Sequence, residues 1–258
     1  MKIFETHAHY DDECYDKDRD ALISSMLADE GSVDYIINVG ASIRGCHASM
    51  ELADKYERVY AAIGVHPDDI VNLGKDEIEW LKNCALHNPK VVAVGEIGLD
   101  YYYPEPEKTL QLEKFREQLS LAVEVNKPVI IHSRDACNDT LESIKGENAQ
   151  NVGGIIHCYS YSKEAARDFL NLGFHIGIGG VLTFKNAKKL VEAAEYIPMD
   201  RIVLETDCPY MAPEPHRGTR NYSENISFVA EKLACIKGLS REEVIDITNM
   251  NARKLFGI

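Results

Sequence analysis

Short apolar runs rich in β-branched residues alternate along this chain with longer stretches in which apolar positions recur every three or four residues. The runs predict strands at Ile3–His9, Val33–Gly40, Val59–His66, Val91–Glu96, Val129–His132, Gly154–His157, Phe174–Gly177 and Arg201–Asp207. Near-continuous apolar content, as in Val91-Val92-Ala93-Val94 and Val129-Ile130-Ile131, marks strands buried on both faces. The intervening segments read as helices. In Glu107–Asn126, Leu112, Phe115, Leu119, Ala122 and Val123 share one face. Lys127-Pro128 then stops that helix, because the residue before proline disfavours the helical region. Ser162 reads as an N-cap for a helix ending at Leu172-Gly173, and Ser240 with Glu243 has capping-box spacing. Eight strands alternating with helices predict an α/β fold, a (β/α)8 TIM barrel, as one domain over residues 1–258. An open doubly wound sheet is the alternative for the same alternation.

Composition narrows the setting. The 258 residues are 45% hydrophobic, enough to bury a full core, with no apolar run of membrane-spanning length. The N-terminus reads directly as a strand and lacks the basic and apolar regions of a secretory signal. The seven cysteines are scattered and form no CxxC pair, which fits reduced thiols and a cytoplasmic location. A net charge of −14 argues against a protein that coats nucleic acid, since phosphate binding rests on Lys and Arg. It argues less against an enzyme whose cations make one cleft positive.

The candidate chemistry lies at the strand ends. His7 and His9 are two residues apart on the first strand and so share a face. Glu96, His132, His157 and Asp207 each follow an apolar run at the end of the fourth, fifth, sixth and eighth strands. In a barrel those ends converge on one mouth. Buried His, Glu and Asp are costly unless paired or bound to metal. Four imidazoles and two carboxylates exceed the needs of one zinc ion. With Glu96 as a bridge, His7, His9 and Asp207 serve one ion, and His132 with His157 a second.

The ordered motifs Thr6-His7-Ala8-His9, Gly64-Val65-His66-Pro67, Gly95-Glu96-Ile97-Gly98-Leu99-Asp100, His132-Ser133-Arg134-Asp135, His157-Cys158-Tyr159, Glu205-Thr206-Asp207-Cys208-Pro209 and His216-Arg217-Gly218 span nearly the whole chain. In these the chain resembles the TatD family of metal-dependent deoxyribonucleases, within the amidohydrolase-like barrel group. The resemblance implies one metal on His7, His9, Glu96 and Asp207 and a second on Glu96, His132 and His157. It also implies hydrolysis of DNA phosphodiester bonds, with Mg or Mn supporting the reaction; imidazole donors equally suit Zn. Exonucleolytic cleavage is expected, on DNA that is single-stranded or at its ends. Tyr159 stands where relatives usually carry Phe, and Thr219 where a basic residue is common, which bears on substrate contacts and not on the metal ligands.

The expected reaction is attack of an activated water on phosphorus, with Asp207 as general base and Glu96 as the second catalytic carboxylate. His66, Arg134 and Arg217 are the candidate substrate contacts, and Tyr101, Tyr102 and Tyr103 could stack on bases. The alternatives are hydrolysis of a lactone, cyclic amide or aminoacyl ester on the same barrel, and a non-catalytic metal-binding barrel. Many such barrels bridge their metals with a modified lysine, and here no lysine ends the fourth or fifth strand. The chain is expected to act without a membrane, as a monomer or in an unspecified assembly. His47 and His87 read as solvated, His175 as core, Lys185, Lys188 and Lys189 as a solvated helix face, and Trp80 as packing a helix onto the barrel. Cys158 and Cys208, next to ligand positions, are expected on the opposite strand face.

Overall fold

The structure, a computed structural model, describes residues 2–258. Eight parallel strands form one sheet in the order of the chain. They are β1 (Ile3–Ala8), β2 (Val33–Val39), β3 (Val59–Ile63), β4 (Val91–Asp100), β5 (Val129–Arg134), β6 (Gly154–Ile156), β7 (His175–Ile178) and β8 (Ile202–Leu204). Sequential order with every pair parallel is the (β/α)8 arrangement. The barrel closes just beyond β1 and β8 through an Ala8–Cys208 bridge, with His9 N donating to Cys208 O at 2.8 Å and Asp207 N to His7 O at 3.0 Å.

The helices are α1 (Arg19–Leu27), α2 (Ile43–Lys55), α3 (Lys75–His87), α4 (Lys108–Glu124), α5 (Cys137–Gly146), α6 (Lys163–Asn171), α7 (Lys188–Tyr196), α8 (Ile226–Lys237) and α9 (Arg241–Phe256). Local signals act where the sequence placed them. Ser162 Oγ accepts from Ala165 N to cap α6, and Ser240 with Glu243 forms the capping box of α9. Asn249 and Asn251 of α9 donate to Lys2 O and Ile202 O, so this helix closes the N-terminal end of the barrel. Phe256 stacks on Phe4 there, beneath an interior filled by Val39, Ala62, Ile130, Ile155 and Val203. The floor is therefore packed shut, and polar chemistry is confined to the opposite mouth. Trp80 packs partly buried on the barrel's outer core, as expected, and also against exposed His47 at 4.3 Å.

Three strand boundaries differ from the sequence reading in a way that shapes the site. β4 runs on to Asp100 and is buried along all ten residues. Gly98 permits this: at φ 152° a Cβ there would stand 1.9 Å from His132 O, so only glycine lets β4 lie so close to β5. In contrast β6 and β8 stop at Ile156 and Leu204. Cys158 and Asp207 then take φ of 43° and 57°, left-handed values that non-glycine residues adopt at a cost. Strand alternation thus does not extend to Cys158, whose amide donates to Glu205 and whose thiol feels the charges of Asp207, Glu205 and Glu96. Burial and those carboxylates push it well above its ordinary range.

A candidate metal centre at the barrel mouth

The side chains of His7, His9, Glu96, His132, His157 and Asp207 converge at the C-terminal ends of the strands. Glu96 is the hub. Its Oε2 is 3.3 Å from His7 Nε2 and 3.7 Å from His9 Nε2. Its Oε1 is 2.7 Å from His157 Nε2 and 3.0 Å from His132 Nδ1. Asp207 Oδ1 completes the first side, 3.5 Å from His9 Nε2 and 3.7 Å from His7 Nε2. Each oxygen of one carboxylate therefore faces its own pair of imidazoles.

The ring orientations are fixed from outside the cluster. His9 Nδ1 is 2.8 Å from Val39 O and donates to it, which leaves Nε2 bare in the neutral ring. His132 Nε2 is 3.0 Å from Asp100 Oδ2, and its donation there leaves Nδ1 bare. Bare nitrogens nevertheless face one another, His7 Nε2 and His9 Nε2 at 3.1 Å and His132 Nδ1 and His157 Nε2 at 3.3 Å. Lone pairs so close repel unless protons or cations lie among them, and this donor set fits a divalent ion. Among the described residues, His7–His9–Asp207 and His66–Glu96–His132 each bring ligand atoms within 4.8 Å of one another.

Electrostatics agree with that reading. Burial and neighbouring His157 push His7 down to about 4, so its ring is neutral. Burial also opposes charge on His9 and His132, but the carboxylates around them prevail and raise both to about 9. Glu96 is held well below the ordinary range because the surrounding imidazoles outweigh its burial. Without a cation the cluster therefore gathers protons, and a cation must displace them.

His66 also reaches this cluster, with Nε2 at 3.8 Å from Glu96 Oε1. Its Nδ1 accepts from Asp68 N at 3.2 Å as the cap of a 3-10 turn. Burial pushes the ring down to about 4, so it is neutral and its Nε2 carries the hydrogen. Arg134 lies on the rim, Nη1 3.9 Å from Asp100 Oδ2 and its guanidinium 3.8 Å from the Tyr102 ring centroid. Arg217 is separate, stacked on Phe184 at 4.3 Å. Among the described residues it has no ion pair with the cluster.

Three carboxylates had no assigned part in the sequence reading. Asp100 orients His132, as above. Glu5 is fully buried and accepts from His7 N at 3.1 Å, Thr206 N at 2.9 Å and Thr206 Oγ1 at 2.6 Å, tying the ends of β1 and β8 together. Glu205, also fully buried, accepts from Cys158 N. For Glu5 alternation was the available signal, since it precedes His7 by two residues within β1; Glu205 lies beyond the end of β8, where alternation gives no signal.

The model of the family described as TatD related DNase matches residues 4–257. The chain belongs to this family. Its TatD-family relatives include the uncharacterized metal-dependent hydrolase YabD of Bacillus subtilis, 43% identical over 256 residues and 99% of each chain. Another is YcfH of Escherichia coli, also an uncharacterized metal-dependent hydrolase, 38% identical over 261 residues, covering 100% of this chain and 97% of the relative. Among solved structures, the TatD homologue YjjV of Escherichia coli superposes with a TM-score of 0.92 at 30% identity, over 99% of this chain and 98% of that one. This TatD-family chain is accordingly a metal-dependent hydrolase.

Proposed function

We propose that this TatD-family hydrolase cleaves DNA phosphodiester bonds, acting at single-stranded ends with two divalent ions bound. The observation that carries the reading is the division of Glu96: Oε2 toward His7 and His9, Oε1 toward His132 and His157. One ion would rest on His7, His9, Asp207 and Glu96 Oε2, the other on His132, His157 and Glu96 Oε1. When bound, the ions supply Lewis-acid activation of water and neutralise charge on a phosphoryl group.

The chain's own groups do the rest. Asp207 is ionised, because His9, His7 and His157 overcome its burial and lower it below the ordinary 3.8. It can therefore take the proton of the attacking water. His66 Nε2–H is a neutral donor placed for a non-bridging phosphoryl oxygen, with its proton kept there by the Asp68 amide. Arg134 carries positive charge to the rim for the next phosphate, and Arg217, held flat on Phe184, serves one further along.

The rim suits unstacked bases. Tyr102, Tyr103 and Tyr210 are 58%, 51% and 55% exposed, and all three follow strands that end at the mouth. Base–aromatic stacking contributes about 1–3 kcal/mol per base. The double substitution Tyr102→Ala, Tyr103→Ala should therefore raise KM for a short single-stranded oligonucleotide by roughly tenfold. Turnover of a small phosphodiester such as bis-p-nitrophenyl phosphate should be unchanged. An equal loss on both substrates would place the tyrosines in the catalytic framework instead.

The reading is tested by digesting end-labelled single- and double-stranded DNA after chelation and after restoring Mg, Mn or Zn singly. Cleavage should vanish with EDTA, return with a cation and proceed from an end. EDTA-resistant cleavage, or turnover of a lactone or carboxylic ester with none of DNA, would overturn it.

A further inference from the structure

The deepest feature of the mouth is a set of unsatisfied polar atoms beneath the candidate ligands. His7 Nδ1, His157 Nδ1 and Glu205 Oε2 are all buried and have no hydrogen-bond partner among the described residues. They belong to side chains that come together: one ligand atom each of His7, His157 and Glu205 lies within a group spanning 4.8 Å. His157 Nδ1 is 3.9 Å from Glu205 Oε1. The His7 and His157 rings are stacked, centroids 4.1 Å apart and 10° from parallel. Both rings thus present the same edge to Glu96 and the other edge downward. An unmade hydrogen bond at a buried polar group costs about 1–3 kcal/mol, so three at one point call for a common explanation.

The ring geometry supplies it. His157 turns Nε2 toward Glu96 at 2.7 Å and His7 does so at 3.3 Å. For Nε2 to offer a lone pair to a cation, the ring hydrogen must sit on Nδ1, and a buried N–H needs an acceptor. Glu205 is the acceptor at hand. One of its oxygens already accepts from Cys158 N, so the carboxylate cannot swing freely. A Cβ on Gly177 would stand 2.4 Å from Glu205 Oε2, so the absent side chain at 177 is what makes room for it. His9 and His132 obey the same rule, with Val39 O and Asp100 as their acceptors.

We propose that Glu205 is a positioning residue for the metal centre. Its carboxylate accepts the Nδ1 hydrogen of His157, and of His7 beside it, and so keeps Nε2 of both rings free for a cation. This rests on the proposed role of His7 and His157 as ligands. It adds to that role a fully buried acid one layer below the ligands.

Glu205→Gln tests it. The side chain keeps its volume, and its carbonyl oxygen can still accept from Cys158 N. The Cys158 amide and His157 Nδ1 face the same Oε1, so the retained oxygen is an uncharged and weaker acceptor for the ring hydrogen, and the NH2 puts a donor where the unpartnered Oε2 stood. Divalent-ion affinity, measured by chelator competition with Zn on the full-length protein, should fall 10- to 100-fold. The far-ultraviolet circular dichroism and the metal-free melting temperature should stay near wild type. Binding within threefold of wild type would overturn the proposal.

A second measurement uses the unsubstituted protein and does not depend on the variant folding. Long-range 1H–15N correlation on 15N-histidine-labelled, Zn-loaded protein should find His157 protonated at Nδ1 with a slowly exchanging hydrogen. A fast-exchanging or absent Nδ1 hydrogen would overturn the role of Glu205. If the wild-type chain binds no Zn at all, the ligand assignment and this inference both fall. If it binds Zn and Glu205→Gln binds equally, only the inference does.

Discussion

Glu96→Gln should abolish tight binding of divalent ions and lower kcat/KM by about 10³-fold or more. The expectation follows from the position of one carboxylate against four imidazoles. Oε1 is within 3.0 Å of His157 and His132 nitrogens, and Oε2 within 3.7 Å of those of His7 and His9. An amide keeps the shape but has one oxygen instead of two and no charge. It can face one imidazole pair with an acceptor only by facing the other with NH2 donors. The several kcal/mol of charge stabilisation that the ions contribute goes with them, and each 1.36 kcal/mol is a factor of ten in rate. Metal content by plasma emission and steady-state kinetics on the same preparation check this. A variant that kept both ions and turned over within tenfold of wild type would remove Glu96 from the bridging position. Loss of one ion only would assign Glu96 to the other set of imidazoles alone.

The parts of this arrangement that could be read from the residues, and those that could not, separate along a physical line. Strand alternation is a short-range rule, and it placed His7 and His9 on one face correctly. The barrel rule that strand ends converge then brought Glu96, His132, His157 and Asp207 to one mouth. Caps such as Ser162 and the Ser240–Glu243 pair were legible because three or four consecutive residues determine them. What depends on contacts between distant strands was not. The extension of β4 to Asp100 needs Gly98 to pass against the His132 carbonyl, a clearance set by β5. Asp100 could be quoted in a motif, but its bond to His132 Nε2 is a meeting of two strands. The same holds for Glu5, whose acceptors tie residue 7 to residue 206.

The side-chain edges were illegible for a related reason. A sequence shows that His66 stands before a proline but not which ring nitrogen faces inward. The Asp68 amide decides that, by donating to Nδ1, and it makes this candidate substrate contact a hydrogen-bond donor through Nε2. Arg134 and Arg217 illustrate the limit further out. Both were selected by motif, yet one joins the cluster through Asp100 and the other is anchored on Phe184. Long, exposed side chains are placed by whatever ring or carboxylate lies nearby, and those neighbours come from other loops.

Asp207 separates ligation from proton transfer, and Asp207→Asn is expected to lower kcat by about 10²–10⁴-fold, the usual worth of a positioned general base. The amide oxygen can still face His7 and His9, so both ions should remain, with weakened affinity for the one on that side. KM should change little, because the substrate contacts proposed above lie on other elements. The pH profile carries the sign. Burial raises the Asp207 carboxyl, but His9, His7 and His157 outweigh it, and the net shift is downward from 3.8. A base so depressed is ionised throughout the neutral range. Its protonation should therefore impose no fall in wild-type rate until the pH drops below that ordinary value. In Asp207→Asn the residual rate should instead climb with pH, because hydroxide replaces the missing base. Rates measured from pH 5 to 9 on preparations of verified metal content distinguish the two curves. A variant that kept its ions, its kcat within threefold and its flat profile would show that the proton leaves by another route. The left-handed backbone at Asp207, φ 57°, then would need a reason other than catalysis, since that conformation costs roughly 1–3 kcal/mol at a residue with a Cβ.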